Sequence, residues 1–187
     1  MSVRRPAPTK GENSLMQLPH IVYRNMKNAI AASLCALLYA LVHRNPTFAC
    51  IGAIFGMGTD MEHSKQLGAN RILGTVIGGV LGILSYAAYL LIDPARQHPL
   101  LLVPLLYIGV VILILLSQHI WPGAVQPGGV VLCVVLFNTT PDSYVLYALN
   151  RMLDTAVGVC MALFINRTLT RERMDAVKYG VLRLFRR

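Results

Sequence analysis

Apolar residues fall along this chain in long runs separated by short polar breaks. A helix needs about 20 such residues to cross the hydrocarbon of a bilayer, with about 17 to 25 tolerated. The first run predicts a span over about 24–42, closed by His43-Arg44-Asn45-Pro46. The second, 47–61, is short and ends in Asp60, Glu62 and His63. The third, 72–92, stops at Asp93-Pro94, because proline disfavours helix in the residue before it. The fourth covers 99–117. The fifth is interrupted by Trp121-Pro122 and Gln126-Pro127 before it reaches Asn138, and the sixth covers about 144–166. Six runs predict an all-α polytopic membrane protein.

Composition agrees. Of the 187 residues 55% are apolar and only 13% charged, about half the roughly 25% usual in soluble proteins. Mean hydropathy is +0.56. The 17 Lys and Arg outnumber the 8 Asp and Glu, for a net charge of +9. Nucleic-acid binders carry dense basic stripes over an average core, whereas the middle of this chain is nearly free of charge. A soluble domain, a disordered tail and a nucleic-acid module are therefore excluded, and the first partner is a lipid bilayer. Cys35, Cys50, Cys133 and Cys160 lie in apolar stretches with no ligand spacing, so they read as packing residues, with no disulfide or metal. No cofactor motif is present.

Placing the cations sets an orientation. With six spans, fourteen of the 17 fall on one side: the tails, Lys65 and Arg71. Arg44, Arg96 and Arg151 are left for the other. The positive-inside rule then predicts both termini in the cytoplasm. A cleaved signal peptide is a poorer reading of the first run, since twenty-odd polar and basic residues precede it and more spans follow. Residues 1–22 read as a basic tail and 23–167 as the membrane domain. In 168–187, Met174, Val177, Val181 and Phe185 recur at helical spacing among arginines, as in a basic helix on an anionic leaflet or a solvated tail.

The chain also repeats itself. GANRILGTVIGGVLG, from Gly68, aligns with ALNRMLDTAVGVCMA, from Ala148. In this register Asn70-Arg71 falls on Asn150-Arg151, Leu73 on Leu153, Thr75 on Thr155, Gly78 on Gly158 and, upstream, Thr59 on Thr139. Three spans copied once give halves (about 23–92 and 99–167) of opposite orientation, an arrangement common in secondary transporters, where short or proline-broken segments point to a central site.

The run PTFACIGAIFGMG, then polar residues, then NRILGTVIGG, with LNRMLDTAVGVCMALFINR in the second copy, resembles the fusaric acid resistance-type (FUSC) superfamily. Within it the chain is most similar to the small bacterial aromatic acid exporter family, over about residues 20–168. The resemblance implies a six-helix module, often a homodimer, that passes small organic anions outward across the bacterial inner membrane. Many such relatives carry a large soluble domain after the sixth span, where this sequence has about 20 residues.

Ionisable groups inside an apolar bundle are expensive and are functional candidates by default. Arg71 and Arg151 offer permanently charged, forked donors matched to a carboxylate, or else act as interfacial anchors. Asn70, Asn150, Thr75 and Thr155 would line the site with them or pack the helices. Asp154, three residues after Arg151, shares its helix face. It would release the arginine on protonation or, more plainly, neutralise it. Asp60, Glu62, His63 and Lys65 form a cluster that would gate entry or lie in a solvated loop. The glycines of G74xxxG78xxxG82 and G52xxxG56 read as helix contacts. No HExxH, GxSxG or phosphate-loop motif occurs, so an enzyme is not expected. The reading is an exporter of small organic anions, aromatic carboxylates by resemblance. Its alternatives are a passive anion channel and a non-transporting scaffold subunit.

Overall fold

The computed structural model describes residues 10–169, with side chains from residue 25 onward. Among these residues the fold is all-helical: α1 (Lys10–Leu41), α2 (Thr47–Gly56), α3 (Met61–Ile92), α4 (Leu102–Ile120), α5 (Val125–Asn138) and α6 (Tyr144–Thr168). Single 3₁₀ turns, Pro99–Leu101 and Pro122–Ala124, lead into α4 and α5. The segments Met61–Ile92, Pro99–Ile120 and Tyr144–Thr168 are long and apolar enough to span a bilayer. At 1.5 Å per residue, α2, with 10 residues, rises only about 15 Å, half a crossing.

The helix ends differ from expectation in instructive ways. α1 starts at Lys10, well before its apolar run. α3 starts eleven residues earlier than its apolar run, because the Asp60 carboxylate accepts the His63 amide at 2.8 Å and caps the polar stretch as helix. Pro127 does not break α5. It lies in the first turn, where a missing N–H costs nothing, and the interruption is confined to Trp121 and Pro122–Ala124. Of the basic tail expected at 168–187, everything beyond Leu169 lies outside the described residues.

Packing is built on small residues and inverts the soluble pattern. Leu41, Leu91, Leu100 and Tyr107 are exposed, while Ser64, Thr75, Ser117, Arg151, Asp154, Thr155 and Asn166 are buried. This suits a chain solvated by lipid, in which helices meet through small and polar side chains. Gly68 lies against Val159 and Gly79 against Met152, so α3 and α6 run antiparallel, with buried Thr75 and Thr155 between those contacts. α2 runs parallel to α6, Gly52 touching Thr155 and Gly56 touching Val159 and Ala162. α5 runs parallel to α3, with Gly128 on Gly78 and Val135 on Gly82.

Two larger cores result, with a smaller cluster of Val131, Val135 and Ala148 joining α5 to α6. Ala31, Cys35, Tyr39, Ala49, Ala53, Met57, Ala162 and Ile165 join α1 and α2 to α6. Leu81, Tyr86, Tyr89, Leu113, Leu132 and Leu136 join α4 and α5 to α3. The third helix of each half thus completes the core of the other half.

Candidate functional site

The end of α1 creates the first part of the site. His43 takes the left-handed conformation at φ 51°, its amide bonds the Ala40 carbonyl at 3.2 Å, and the Arg44 amide bonds the Tyr39 carbonyl at 2.9 Å. This paired closure satisfies the last carbonyls of the helix and turns Arg44 back over Tyr39, whose ring centroid lies 5.8 Å away. The Asn45 side-chain oxygen then accepts from the Thr47 amide at 3.0 Å and the Thr47 hydroxyl at 2.6 Å. That local turn starts α2 and places Phe48 in its first turn.

α6 brings Asp154 into this corner. Its carboxylate accepts from the Tyr39 hydroxyl at 2.8 Å and from Arg44 Nη2 at 3.2 Å, and pairs with Arg151 Nη2 at 3.2 Å. Arg44 Nη2 also donates to Asn150 Oδ1 at 3.1 Å. The guanidinium of Arg151 lies 3.6 Å from the centroid of Phe48 and 4.7 Å from that of Tyr147. Two guanidinium groups share one carboxylate, so the cluster keeps a net positive charge. Asp154 is 1% exposed and Arg151 9%, and the Arg151 Nε–H is buried without a partner.

Arg71 lies elsewhere. It stands one turn before Thr75 on α3, as Arg151 stands one turn before Thr155 on α6. Its guanidinium is 5.0 Å from the centroid of Phe55, in the last turn of α2. It has no ion pair among the described residues, and its Nε–H is buried and unpartnered. Asn70, beside it, accepts a hydrogen bond from the Trp121 indole. An orphaned donor on a charged group is costly in a low-dielectric setting, and it is the chemistry a carboxylate would relieve.

Asp60, Glu62 and His63 do not join either arginine. They are exposed at the start of α3, where the Asp60 carboxyl is held below its usual range chiefly by the His63 amide. Nearby, Asn166 Nδ2 donates to Ser64 Oγ at 2.8 Å and to the Asp60 carbonyl at 3.0 Å, while Lys27 Nζ donates to Asn166 Oδ1 at 3.0 Å. This knot ties α1 and α6 to the α2–α3 turn. The other end has its own tie: the Tyr86 hydroxyl bonds the Thr139 carbonyl at 3.2 Å, and its ring packs on Tyr144 at 5.0 Å.

Sequence reasoning singled out Arg71, Asn70, Arg151, Asn150 and Asp154 but missed Tyr39, Arg44, Phe48, Phe55 and Tyr147. One signal was available, the seven-residue spacing of Phe48 and Phe55 in the shortest helix. An open groove of about 600 Å³ between α1 and α6, lined by Leu34, Leu153, Val157 and Phe164 among others, is apolar throughout. Among the described residues no group of three or more His, Cys, Asp or Glu side chains is placed to hold a metal ion.

The model of the fusaric acid resistance protein-like family matches residues 30–165. The chain belongs to that family, and membership implies membrane transport or efflux. Searches of curated proteins and of solved structures gave no match.

Proposed function

We propose that this member of the fusaric acid resistance protein-like family exports small organic anions, aromatic carboxylates first among them, across a bacterial inner membrane. Arg71 and Arg151 serve as successive anion contacts. The observation that carries the reading is that both arginines, at equivalent positions of the repeat, hold a buried Nε–H without a partner. Asn70, Asn150, Thr75 and Thr155 line the approach, and Asp154 sets the affinity of Arg151 by competing with the substrate. Protonation of Asp154 would free Arg151 to hold the anion, and its deprotonation would displace the anion, which couples release to the proton gradient.

An inverted relation of two three-helix halves is part of the proposal. The antiparallel α3 and α6, and the matching of α2 on α6 with α5 on α3, support it. Both termini are assigned to the cytoplasm, together with Lys27, Lys65, Arg71 and Arg167, leaving Arg44, Arg96 and Arg151 toward the outer side.

Purified protein in lipid vesicles tests the function. Benzoate should cross in the presence of the wild type, and Arg71→Ala or Arg151→Ala should reduce the flux at equal amounts of folded protein. Normal flux in both variants would refute the arginine assignment. Collapse of the pH gradient should stop coupled export, whereas continued flux would identify a channel. A reporter fused at residue 187 should read cytoplasmic, and an outside signal would overturn the topology.

A further inference from the structure

The two arginines come from different halves of the chain, yet each lies against a phenylalanine of the same helix. Arg151 on α6 lies over Phe48, and Arg71 on α3 lies over Phe55. Both phenylalanines belong to α2, seven residues apart. Seven residues are two turns, so the rings share one stripe of the helix and stand about 10 Å apart along its axis. In the register of the repeat, Phe48 falls on Gly128 and Phe55 on Val135. α5 therefore has no such stripe. Gly128 is instead pressed against Gly78 and Gly74, and Val135 against Gly82.

We propose that Phe48 and Phe55 are positioning residues for anion recognition, making α2 a track with two stations at which a guanidinium lies against an aromatic ring. This rests on the exporter reading above and names side chains that reading does not use. A ring face compensates a cation through its quadrupole without occupying any N–H. A second carboxylate in the same place would compensate the charge but consume the donors that the substrate needs. The ring therefore leaves the donors of Arg71 open while keeping its charge tolerable in the bilayer. At the other station Arg151 has rings on Phe48 and Tyr147 but also an ion pair to Asp154. The two stations thus differ in affinity, and a monocarboxylate moves stepwise from one to the other.

Phe55 is 62% exposed, so its replacement leaves the core intact. The test measures benzoate flux into vesicles over a range of concentrations, together with the melting temperature of each variant. Phe55→Leu, which keeps bulk but removes the ring, should raise the half-saturating benzoate concentration by about three- to fivefold, the scale of an exposed cation–π contact. Its maximal rate should stay within about twofold of wild type on the same scale, and Phe55→Tyr should restore half-saturation. Phe48→Leu should act in the same direction. Unchanged half-saturation in Phe55→Leu beside an impaired Arg71→Ala would overturn the track while leaving the exporter reading intact, as would a Phe55→Tyr as defective as Phe55→Leu. Should Phe55→Leu fail to fold, Phe55→Met and the benzoate-induced shift in its melting temperature give the same decision. A wild type that moves no benzoate, or an Arg71→Ala and Arg151→Ala that both transport normally, would instead sink the exporter reading.

Discussion

Asp154→Asn isolates the charge at the centre of the buried cluster. Asparagine keeps the shape and leaves an oxygen to accept the Tyr39 hydroxyl, so the perturbation is the removal of one negative charge from between two guanidinium groups. These two losses are unequal. The Arg44 side chain is 45% exposed and can swing toward polar surroundings, so its share resembles that of a surface pair, about 1 kcal/mol or less. The Arg151 side chain is 11% exposed and is held against Phe48 and Tyr147. Removing one partner of such a buried pair strands the other charge, at a cost of about 3 to 5 kcal/mol.

Asp154→Asn should therefore destabilise the protein by about 3 kcal/mol, mostly through Arg151. Arg44→Gln should cost about 1 kcal/mol or less. Removing both buried charges, in Asp154→Asn with Arg151→Met, should cost less than the sum of the single changes, with a coupling of about 2 kcal/mol. Reversible denaturant unfolding in micelles, followed by circular dichroism, gives all four corners of this cycle. Strict additivity, or an Asp154→Asn variant as stable as wild type, would refute the account of Asp154 as the counter-charge that permits Arg151 to be buried.

Other outcomes follow from the packing. A Cβ at Gly78 would run into the Gly128 carbonyl, and one at Gly158 into the Ala49 carbonyl. Gly78→Ala and Gly158→Ala should each cost about 1 to 3 kcal/mol of overpacking, whereas Gly129→Ala, with Leu113 at 3.9 Å as the nearest atom, should be tolerated in the same melting assay. Asn166→Ala removes the donor to Ser64 and Asp60 and should cost about 1 to 3 kcal/mol, more than Tyr86→Phe, which loses one bond worth about 1 kcal/mol. Equal melting temperatures for those two variants would contradict the knot at Asn166. Because the Asp60 carboxyl is depressed below its ordinary 3.8 in the fold, its contribution is complete above that value and lost as pH falls through the lowered one. Acid unfolding of Asp60→Asn should show a shallower dependence on pH than wild type.

How much the sequence disclosed depends on the kind of signal. Hydropathy located all six helices, since lipid demands continuous apolar runs whatever the tertiary contacts. It underestimated α3, because a capped polar stretch such as 62–70 extends a helix without being apolar. The repeat pointed to Arg71 and Arg151, and the i, i+3 spacing already paired Arg151 with Asp154. Tyr39, Arg44 and Phe48 were not legible as partners. They enter the site only because α1 closes on a left-handed His43 and α2 packs parallel to α6, and both are facts of long-range packing. Asn166 was equally hidden, since its partners Asp60 and Ser64 lie in the other half of the chain.

The difference between the two halves has a physical origin in two pairs of equivalent positions. In the repeat register Arg44 falls on Ala124, and Asp154 falls on Gly74. Both pairs meet: Arg44 bonds Asp154 at 3.2 Å, and the Ala124 carbonyl lies where a Cβ on Gly74 would stand. In one half the contact is a backbone touching a glycine, with Pro127 Cγ and the Gly128 amide at 2.5 and 3.0 Å from the same point. In the other, side chains meet instead, the Asp154 carboxylate taking the Tyr39 hydroxyl and two guanidinium groups. A side chain at Gly74 would meet the Ala124 carbonyl, so the position that supplies Arg151 with a counter-charge supplies Arg71 with none, and that arginine has the Phe55 ring and no ion pair among the described residues. The small residue that fastens α3 to α5 thus leaves Arg71 without the carboxylate that its acidic counterpart supplies to Arg151.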